Sequence, residues 1–90
     1  MNKHQKVWNA IDLIAETLDL SASGLAKAIS MDATAFNRSK RIRRDGRERW
    51  PNTETIQKIL DHAGMTWLQF ANLVDTPGGF ESLDPFKSDA

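Results

Sequence analysis

Apolar side chains recur along this chain with the period of an α-helix. The clearest stripe is formed by Ile56, Ile59, Leu60 and Ala63 at positions i, i+3, i+4 and i+7. A second stripe near the N-terminus is formed by Val7, Ile11, Ile14 and Leu18. Convincing strand patterns are missing from the sequence, so we expect an all-α protein.

Three helices are expected in the first half of the chain. The first covers residues 3–19. The second follows Ser21, whose hydroxyl can accept a hydrogen bond from the first turn, and it ends near Ser30. The third begins at Ala33, where Asp32 can act as the N-terminal cap. The short link between the second and third helices predicts a tight turn.

Two further helices are expected in the second half. Pro51 and Asn52 precede the stripe at residues 56–63, and Gly64 ends it. Thr66 and Gln69 then have the spacing of a capping box, which predicts a fifth helix. The expected architecture is therefore a compact five-helix domain.

Length and composition limit the chain to one small domain. Ninety residues with 40% hydrophobic content can bury a single modest core. We assign residues 1–75 to this domain and residues 76–90 to a flexible tail or the start of an interdomain linker, because Pro77, Gly78 and Gly79 break the helical pattern. The absence of cysteine excludes disulfides and thiolate metal sites and favours the cytoplasm. Apolar runs are too short to predict a membrane span.

Positive charge is concentrated between residues 38 and 49 in a chain whose formal net charge is zero. The basic side chains of this block are Arg38, Lys40, Arg41, Arg43, Arg44, Arg47 and Arg49. Asp45 and Glu48 are the acidic residues among them. Such a block can be a solvated, mobile surface, or it can bind a polyanion without selectivity.

The expected third helix gives the basic block a more specific interpretation. At about 100° per residue, one arc of this helix holds Ala33, Thr34, Asn37 and Arg38. Phe36 lies on the opposite arc and should be buried against the second helix. Threonine, asparagine and arginine can hydrogen-bond base edges in the major groove, and phosphates flank any base that they reach. This juxtaposition favours DNA, although Thr34 and Asn37 could also be ordinary solvent-facing residues.

Residues 20–41, LSASGLAKAISMDATAFNRSKR, resemble the helix-turn-helix of the lambda-repressor-like family, also called Cro or XRE-type regulators. The segments FNRSKR and DGRERWPNTETIQKIL are similar to the N-terminal domain of prophage-type repressors that carry a LexA-like peptidase domain. This resemblance implies base contacts by Ala33, Thr34, Asn37 and Arg38. It also implies contacts to the DNA backbone from the start of the second helix and from the basic loop. The residues concerned are Ser21, Ser23, Lys27, Lys40, Arg41, Arg43, Arg44 and Arg47.

Three features depart from the family pattern. Ala22 stands where many relatives have a glutamine that contacts a phosphate. Ser30 stands at a turn position usually held by glycine, and a left-handed serine there would cost on the order of 1 kcal/mol. The loop at residues 40–50 is longer and more basic than in minimal members, which suggests an additional DNA contact.

The resemblance implies a bacterial or prophage transcription regulator, most simply a repressor, that binds an inverted-repeat operator as a homodimer. Enzymatic activity is not expected, because the sequence has no cysteine nucleophile, glycine-rich phosphate loop or recognisable nucleophile turn. A peptidase domain of a longer parent protein would lie outside this chain. We expect no cofactor, metal or small-molecule ligand. The alternative is a protein-interaction or antitoxin-like adaptor module that uses the same basic surface.

The aromatic residues and histidines lead to further expectations. Trp8 and Trp67 should lie in the core or at its edge, and Trp50 should anchor the basic loop onto the core. His4 and His62 are single histidines on expected helices without partner ligands, so we expect both at the surface.

Overall fold

The computed structural model describes residues 2–76. Its α-helices are α1 (Lys3–Thr17), α2 (Ala22–Ala28), α3 (Thr53–Ala63) and α4 (Trp67–Asp75). A 3₁₀ helix, Arg38–Lys40, lies between α2 and α3. The expectation of an all-α protein is confirmed for the described range, with four α-helices there instead of five. The tail expected at residues 76–90 lies outside the described residues, apart from Thr76.

Helix α1 begins with a capping box that was not predicted from the sequence. The side chain of Asn2 accepts a hydrogen bond from the Gln5 amide at 2.8 Å, and the Gln5 side chain accepts one from the Asn2 amide at 3.3 Å. The helix ends at Thr17, slightly before the predicted residue 19. Asp19 has a φ of 60°, a left-handed conformation that cannot continue the helix.

Helix α2 has the cap that the sequence predicted. The Ser21 hydroxyl accepts a hydrogen bond from the Gly24 amide at 3.0 Å. After the helix, Ser30 has a φ of 62°, so the left-handed turn conformation is present without glycine. Serine in this conformation costs on the order of 1 kcal/mol relative to a right-handed one.

Helices α3 and α4 confirm the predicted start and stop signals. The Asn52 side chain accepts from the Thr55 amide at 2.8 Å, and Gly64 ends α3 in the left-handed region with a φ of 69°. At the start of α4, Thr66 accepts from the Gln69 amide at 3.1 Å, while Gln69 accepts from the Thr66 amide at 2.9 Å.

The predicted third α-helix does not form. Residues 33–36 are turns, and Asn37 is extended, with φ −61° and ψ 142°. In an α-helix the Phe36 carbonyl would accept from the Lys40 amide, but here it accepts two hydrogen bonds from the Arg41 guanidinium. The Lys40 amide donates to the Asn37 carbonyl instead, at 2.9 Å. The Arg41 side chain therefore occupies the Phe36 carbonyl, which would accept a backbone hydrogen bond if an α-helix formed here.

The core is formed by the inner faces of α1, α2, α3 and α4 together with Phe36. Its most deeply buried aliphatic residues are Ala10, Ile11, Ile14, Leu25, Ala26, Ile59, Leu60 and Leu73. An ion pair between Lys3 and Asp75 joins the start of α1 to the end of α4 at the surface. The hydrogen bond from Lys3 holds the pKa of Asp75 below its usual value. Helices long and apolar enough to cross a membrane do not occur in the described part of the chain.

The aromatic residues lie close to the positions expected from the sequence. Trp8 and Phe36 are buried as expected, and their ring centroids lie 6.1 Å apart. Trp67 and Trp50 are 43% and 48% exposed, but Trp67 lies at the edge of the core, where its ring meets that of the buried Phe70 edge-on at 6.3 Å. Trp67 donates its indole N–H to Gln57 at 2.7 Å. Trp50 does contact the domain, because its ring meets that of His4 edge-on at 5.5 Å.

The two histidines have different environments. His62 is exposed on α3, as predicted. His4 was also expected at the surface, and this prediction is wrong, because only 4% of the residue is accessible. His4 lies on the inner face of α1 beside Trp8, where the segment 41–49 returns across the helix.

Candidate nucleic-acid interface

Residues 41–49 form a short β-hairpin, which we call the basic hairpin. Ile42 and Glu48 form an antiparallel bridge. The Arg43 amide donates to the Arg47 carbonyl at 2.7 Å, and the Arg49 amide donates to the Arg41 carbonyl at 2.9 Å. The block that looked like a simple basic loop therefore has its own hydrogen-bonded geometry.

The tip of the basic hairpin is a tight turn. The Gly46 amide donates to the Arg43 carbonyl at 2.9 Å, and Gly46 has a φ of 85°. The four residues 43–46 therefore form a hydrogen-bonded turn that ends in a left-handed glycine, a conformation that glycine adopts without strain. The Asp45 side chain accepts from the Arg47 amide at 3.0 Å and further restrains the turn.

Six basic side chains of the block from residue 38 to residue 49 are exposed. They are Arg38, Lys40, Arg43, Arg44, Arg47 and Arg49. The one ion pair among the hairpin tip residues joins Arg47 Nε to Asp45 Oδ2 at 3.7 Å, with both side chains more than half exposed. Such a surface pair contributes little energy and can open easily. The hairpin therefore presents most of its positive charge to solvent.

Arg41 has a structural role instead of the predicted DNA-backbone role. It is only 8% exposed, and its Nη1 and Nη2 donate to the Asp12 carboxylate at 2.9 and 2.8 Å. Its Nε and Nη2 also donate to the Phe36 carbonyl, and the guanidinium lies 4.7 Å from the centre of the Trp8 ring. Arg41 thus connects the hairpin to α1, and its buried guanidinium is not available to contact a DNA phosphate.

A second connection lies at the base of the hairpin. His4 Nε2 is 3.0 Å from the Arg41 carbonyl oxygen and 3.0 Å from the Arg49 carbonyl oxygen. The indole N–H of Trp8 donates to the same Arg49 carbonyl at 2.9 Å. Side chains of α1 therefore bind both ends of the basic hairpin, which limits how far it can move relative to the core.

The segment before the hairpin is held by a local polar network. Asp32 accepts hydrogen bonds from the Thr34 amide at 2.8 Å and the Thr34 hydroxyl at 2.6 Å, and Lys40 donates to that hydroxyl. The bond from the Thr34 hydroxyl is the main reason why the pKa of Asp32 lies below its usual value. Asp32 therefore caps a turn instead of the expected helix.

The four predicted base-contacting residues do not share one helical arc, because the helix is absent. Thr34 and Arg38 are exposed, while Ala33 and Asn37 are half-buried. The Thr34 hydroxyl is already hydrogen-bonded on both sides, so Arg38 and Asn37 offer the more available polar groups. Arg38 is the first residue of the 3₁₀ helix that precedes the basic hairpin, and Asn37 lies immediately before that helix.

The predicted contacts on α2 lie in different surroundings. Ser21 shares an open cleft of about 580 Å³ with Asn37 and Arg38, although its hydroxyl is occupied as the α2 cap. The same cleft is lined by Glu16 and Asp19, whose charge would oppose a phosphate there. The remaining predicted residues on α2 are Ser23, which is half-buried, and Lys27, which is exposed.

Two components of this site were not predicted from the sequence. The hairpin had a detectable signal, since Asp45–Gly46 is a favoured turn dipeptide. The His4 anchor had none, because its partners are backbone carbonyls of residues 41 and 49. Within residues 2–76, histidine and carboxylate side chains form no group of three that could hold a metal ion.

Comparisons with protein-family models, with curated proteins and with solved structures found no match to this chain.

Proposed function

We propose that this protein binds double-stranded DNA through the basic hairpin and the adjoining segment 32–40, as a cytoplasmic transcription regulator of bacterial or prophage type. The observation that supports this proposal best is the concentration of exposed cations on a hairpin whose two ends are bound to α1. The resemblance to lambda-repressor-like domains supports it too, and a repressor is the simplest regulator of that kind.

Electrostatics favours a nucleic acid as the partner of this surface. Each phosphate neutralised by lysine or arginine releases condensed counterions, so a compact cationic surface gains affinity for DNA in a salt-dependent way. Arg43, Arg44 and Arg47 are exposed near the tip and can serve as such phosphate contacts. A two-stranded β-ribbon is also narrow enough to enter the major groove. The hairpin therefore has both the charge and the shape for duplex DNA.

We assign recognition of the DNA bases to the residues that precede the hairpin. Arg38 can donate two hydrogen bonds to guanine, and Asn37 can pair with adenine. In this proposal α2, the left-handed Ser30 and the segment 32–40 correspond to a helix-turn-helix in which turns and a 3₁₀ helix take the place of the recognition helix. Ala33 and Thr34 contribute at the edge of this contact.

The surface of one domain can specify only a few base pairs, so we propose that the protein binds DNA as a homodimer. Two domains would occupy half-sites about one helical turn, or roughly 34 Å, apart. Selection of bound sites from a random duplex library should then recover inverted repeats. A single unrepeated motif bound by one chain would contradict the dimeric proposal.

The division between reading and phosphate contacts can be tested in one titration series. Asn37→Ala should cost about 1–3 kcal/mol on the selected site and much less on a scrambled duplex, because it removes a base contact. Arg43→Ala and Arg44→Ala should weaken both duplexes by similar factors, and each should lower the slope of log K against log salt by roughly one unit.

Lys58→Ala provides the matched control, because Lys58 is an exposed cation on α3, outside the hairpin, that pairs with Glu54. It should leave affinity and salt slope close to those of the wild type. If Arg43→Ala and Arg44→Ala changed binding no more than Lys58→Ala, the hairpin would not be the DNA contact. If Asn37→Ala changed only the salt slope, the assignment of base contacts would be wrong.

A protein-interaction or antitoxin-like adaptor is the second candidate function. It is favoured by the cleft in which the acidic Glu16 and Asp19 lie near Arg38, since such mixed charge suits a peptide better than a polyphosphate backbone. Retention on duplex DNA and on heparin as salt is raised separates the two candidates. An adaptor would show little retention on duplex DNA.

A further inference from the structure

Ile42 is a large apolar side chain that is exposed in the most cationic part of the molecule. It is 49% exposed, and it lies between Arg41 and Arg43 on the first strand of the basic hairpin. Leu68 is exposed as well, but it lies on α4, outside the hairpin. Single exposed aliphatic residues are common on protein surfaces, so the surroundings of Ile42 decide whether it has a role.

The cross-strand partner of Ile42 is Glu48, and the two side chains share one face of the hairpin. The backbone hydrogen bonds of the two strands lie on either side of the Ile42–Glu48 bridge, so these residues form a non-hydrogen-bonded pair. In such a pair the two side chains lie close together on the same side of the ribbon. Both residues line a cleft of about 290 Å³.

The carboxylate of Glu48 makes this face unsuitable for a phosphate. Its side chain is 40% exposed, and it contacts the Asn2 side-chain amide at 3.0 Å and His4 Nδ1 at 3.7 Å. None of the ion pairs among residues 2–76 joins Glu48 to an arginine. A phosphate beside this carboxylate would be repelled, whereas the edge of a base carries no net charge. When the hairpin enters a groove, the Ile42–Glu48 face should therefore meet bases.

Arg38 lines the same cleft as Ile42, so the apolar side chain lies beside the proposed guanine contact. Successive base pairs are about 3.4 Å apart, so side chains that share one small cleft can contact neighbouring base pairs. Thymine presents an apolar group, its C5-methyl, in the major groove. Trp50 is the other exposed apolar residue near the hairpin, but its ring packs against His4, and it does not line the cleft.

We propose that Ile42 is a specificity-determining residue that recognises the C5-methyl group of a thymine next to the base pair contacted by Arg38, and that Glu48 keeps phosphates away from this face. The inference rests on the proposed DNA-binding function and adds a base contact on the hairpin itself. The cations at the hairpin tip then bind phosphates, while the Ile42–Glu48 face contacts bases.

Deoxyuridine tests this contact, because it pairs as thymine does but lacks the C5-methyl group. Each thymine of one half-site of the selected operator is replaced singly, and the affinity is measured at constant salt. One of these replacements should weaken binding of the wild-type protein roughly fourfold, the effect of about one buried methyl group. The remaining replacements should have little effect.

Variants of the protein then identify the side chain that contacts the methyl group. Ile42→Ala should bind the thymine site more weakly by a similar factor and should no longer distinguish thymine from deoxyuridine. Ile42→Val retains a branched side chain and should keep most of the discrimination. Leu68→Ala is the matched control, because it shortens an exposed aliphatic side chain on α4, and it should discriminate as the wild type does.

The role of Glu48 is tested by Glu48→Gln, which removes the charge and keeps an acceptor for Asn2. Affinity for a scrambled duplex should rise roughly fivefold, the effect of one like charge at about 4 Å in water. Affinity for the selected site should change little, because this face already meets bases there. Glu54→Gln, on α3, is the control and should change neither affinity as much. An equal rise on both duplexes would contradict the role assigned to Glu48.

Three results would overturn the thymine contact while the DNA-binding function stands. They are a selected site without thymine, equal wild-type affinity for every thymine and deoxyuridine site, and a methyl dependence that persists in Ile42→Ala. Failure to bind any duplex would contradict the proposed function and the inference together.

Discussion

The replacement of Asp12 by alanine tests how the basic hairpin is attached to the core. Asp12 is the only carboxylate that pairs with Arg41 in the described structure, and it accepts two hydrogen bonds from that guanidinium at 2.9 and 2.8 Å. Asp12→Ala would leave a guanidinium with 10% side-chain exposure without its counter-charge. The Phe36 carbonyl and the Trp8 ring would be its remaining partners.

The expected cost follows from these contacts. Hydrogen bonds to charged groups contribute about 1.5–3 kcal/mol each, and removal of one partner of a buried pair costs about 3–5 kcal/mol. The Asp12 side chain is 30% exposed, so water can reach part of the vacated site, and we expect the lower end, about 3 kcal/mol. A domain of this size has a total stability on the order of 5–10 kcal/mol, so this loss would be large.

Urea unfolding monitored by tryptophan fluorescence provides the measurement. With a slope near 1 kcal/mol per molar for a small domain, the midpoint should fall by roughly 2–3 M. Glu16→Ala is the control, because Glu16 is an exposed carboxylate one turn further along α1, and it should change stability by less than about 0.5 kcal/mol. A cycle with Arg41→Met should give a coupling of about 2–3 kcal/mol. A loss below about 0.5 kcal/mol for Asp12→Ala would refute the argument.

Two further predictions concern the segment before the hairpin. Phe36→Ala should destabilise the protein by about 3–5 kcal/mol through lost burial and a cavity, and denaturation showing under about 1 kcal/mol would contradict the buried position beside Trp8. The Asp32 carboxyl should titrate below its ordinary pKa in an NMR experiment, so the turn should be stabilised above the unfolded pKa and weakened as pH falls through the folded one. Thr34→Val should raise this pKa toward the ordinary value, whereas an unchanged pKa would show that the Thr34 hydroxyl is not its main cause.

The predictions for α2, α3 and α4 succeeded because their determinants are local. Ser21, Asn52 and Thr66 each cap the helix that follows them in the sequence, and Gly64 supplies the left-handed residue that ends α3. Apolar residues at helical spacing then identified the buried faces, including those of Ile59 and Leu60. Propensity, capping and periodicity depend on neighbours within one or two turns.

The segment from residue 32 to residue 49 was predicted less well, because its conformation depends on distant partners. Asp32 is a good helix cap in isolation, but it caps a turn here, and the Phe36 carbonyl is taken by Arg41. Arg41 is in turn oriented by Asp12, which is 29 residues away in the sequence. No local pattern contains that information.

The sequence by itself determined the helical class of the protein, the limits of most helices and the location of the positive charge. The tertiary structure decided which of the basic residues are exposed and can contact a partner. It buried Arg41 against Asp12, and it placed His4 under the carbonyls of the hairpin. The difference has a physical reason: charge and periodicity are properties of the chain, whereas burial and competition for hydrogen-bond acceptors exist only when remote segments are brought together.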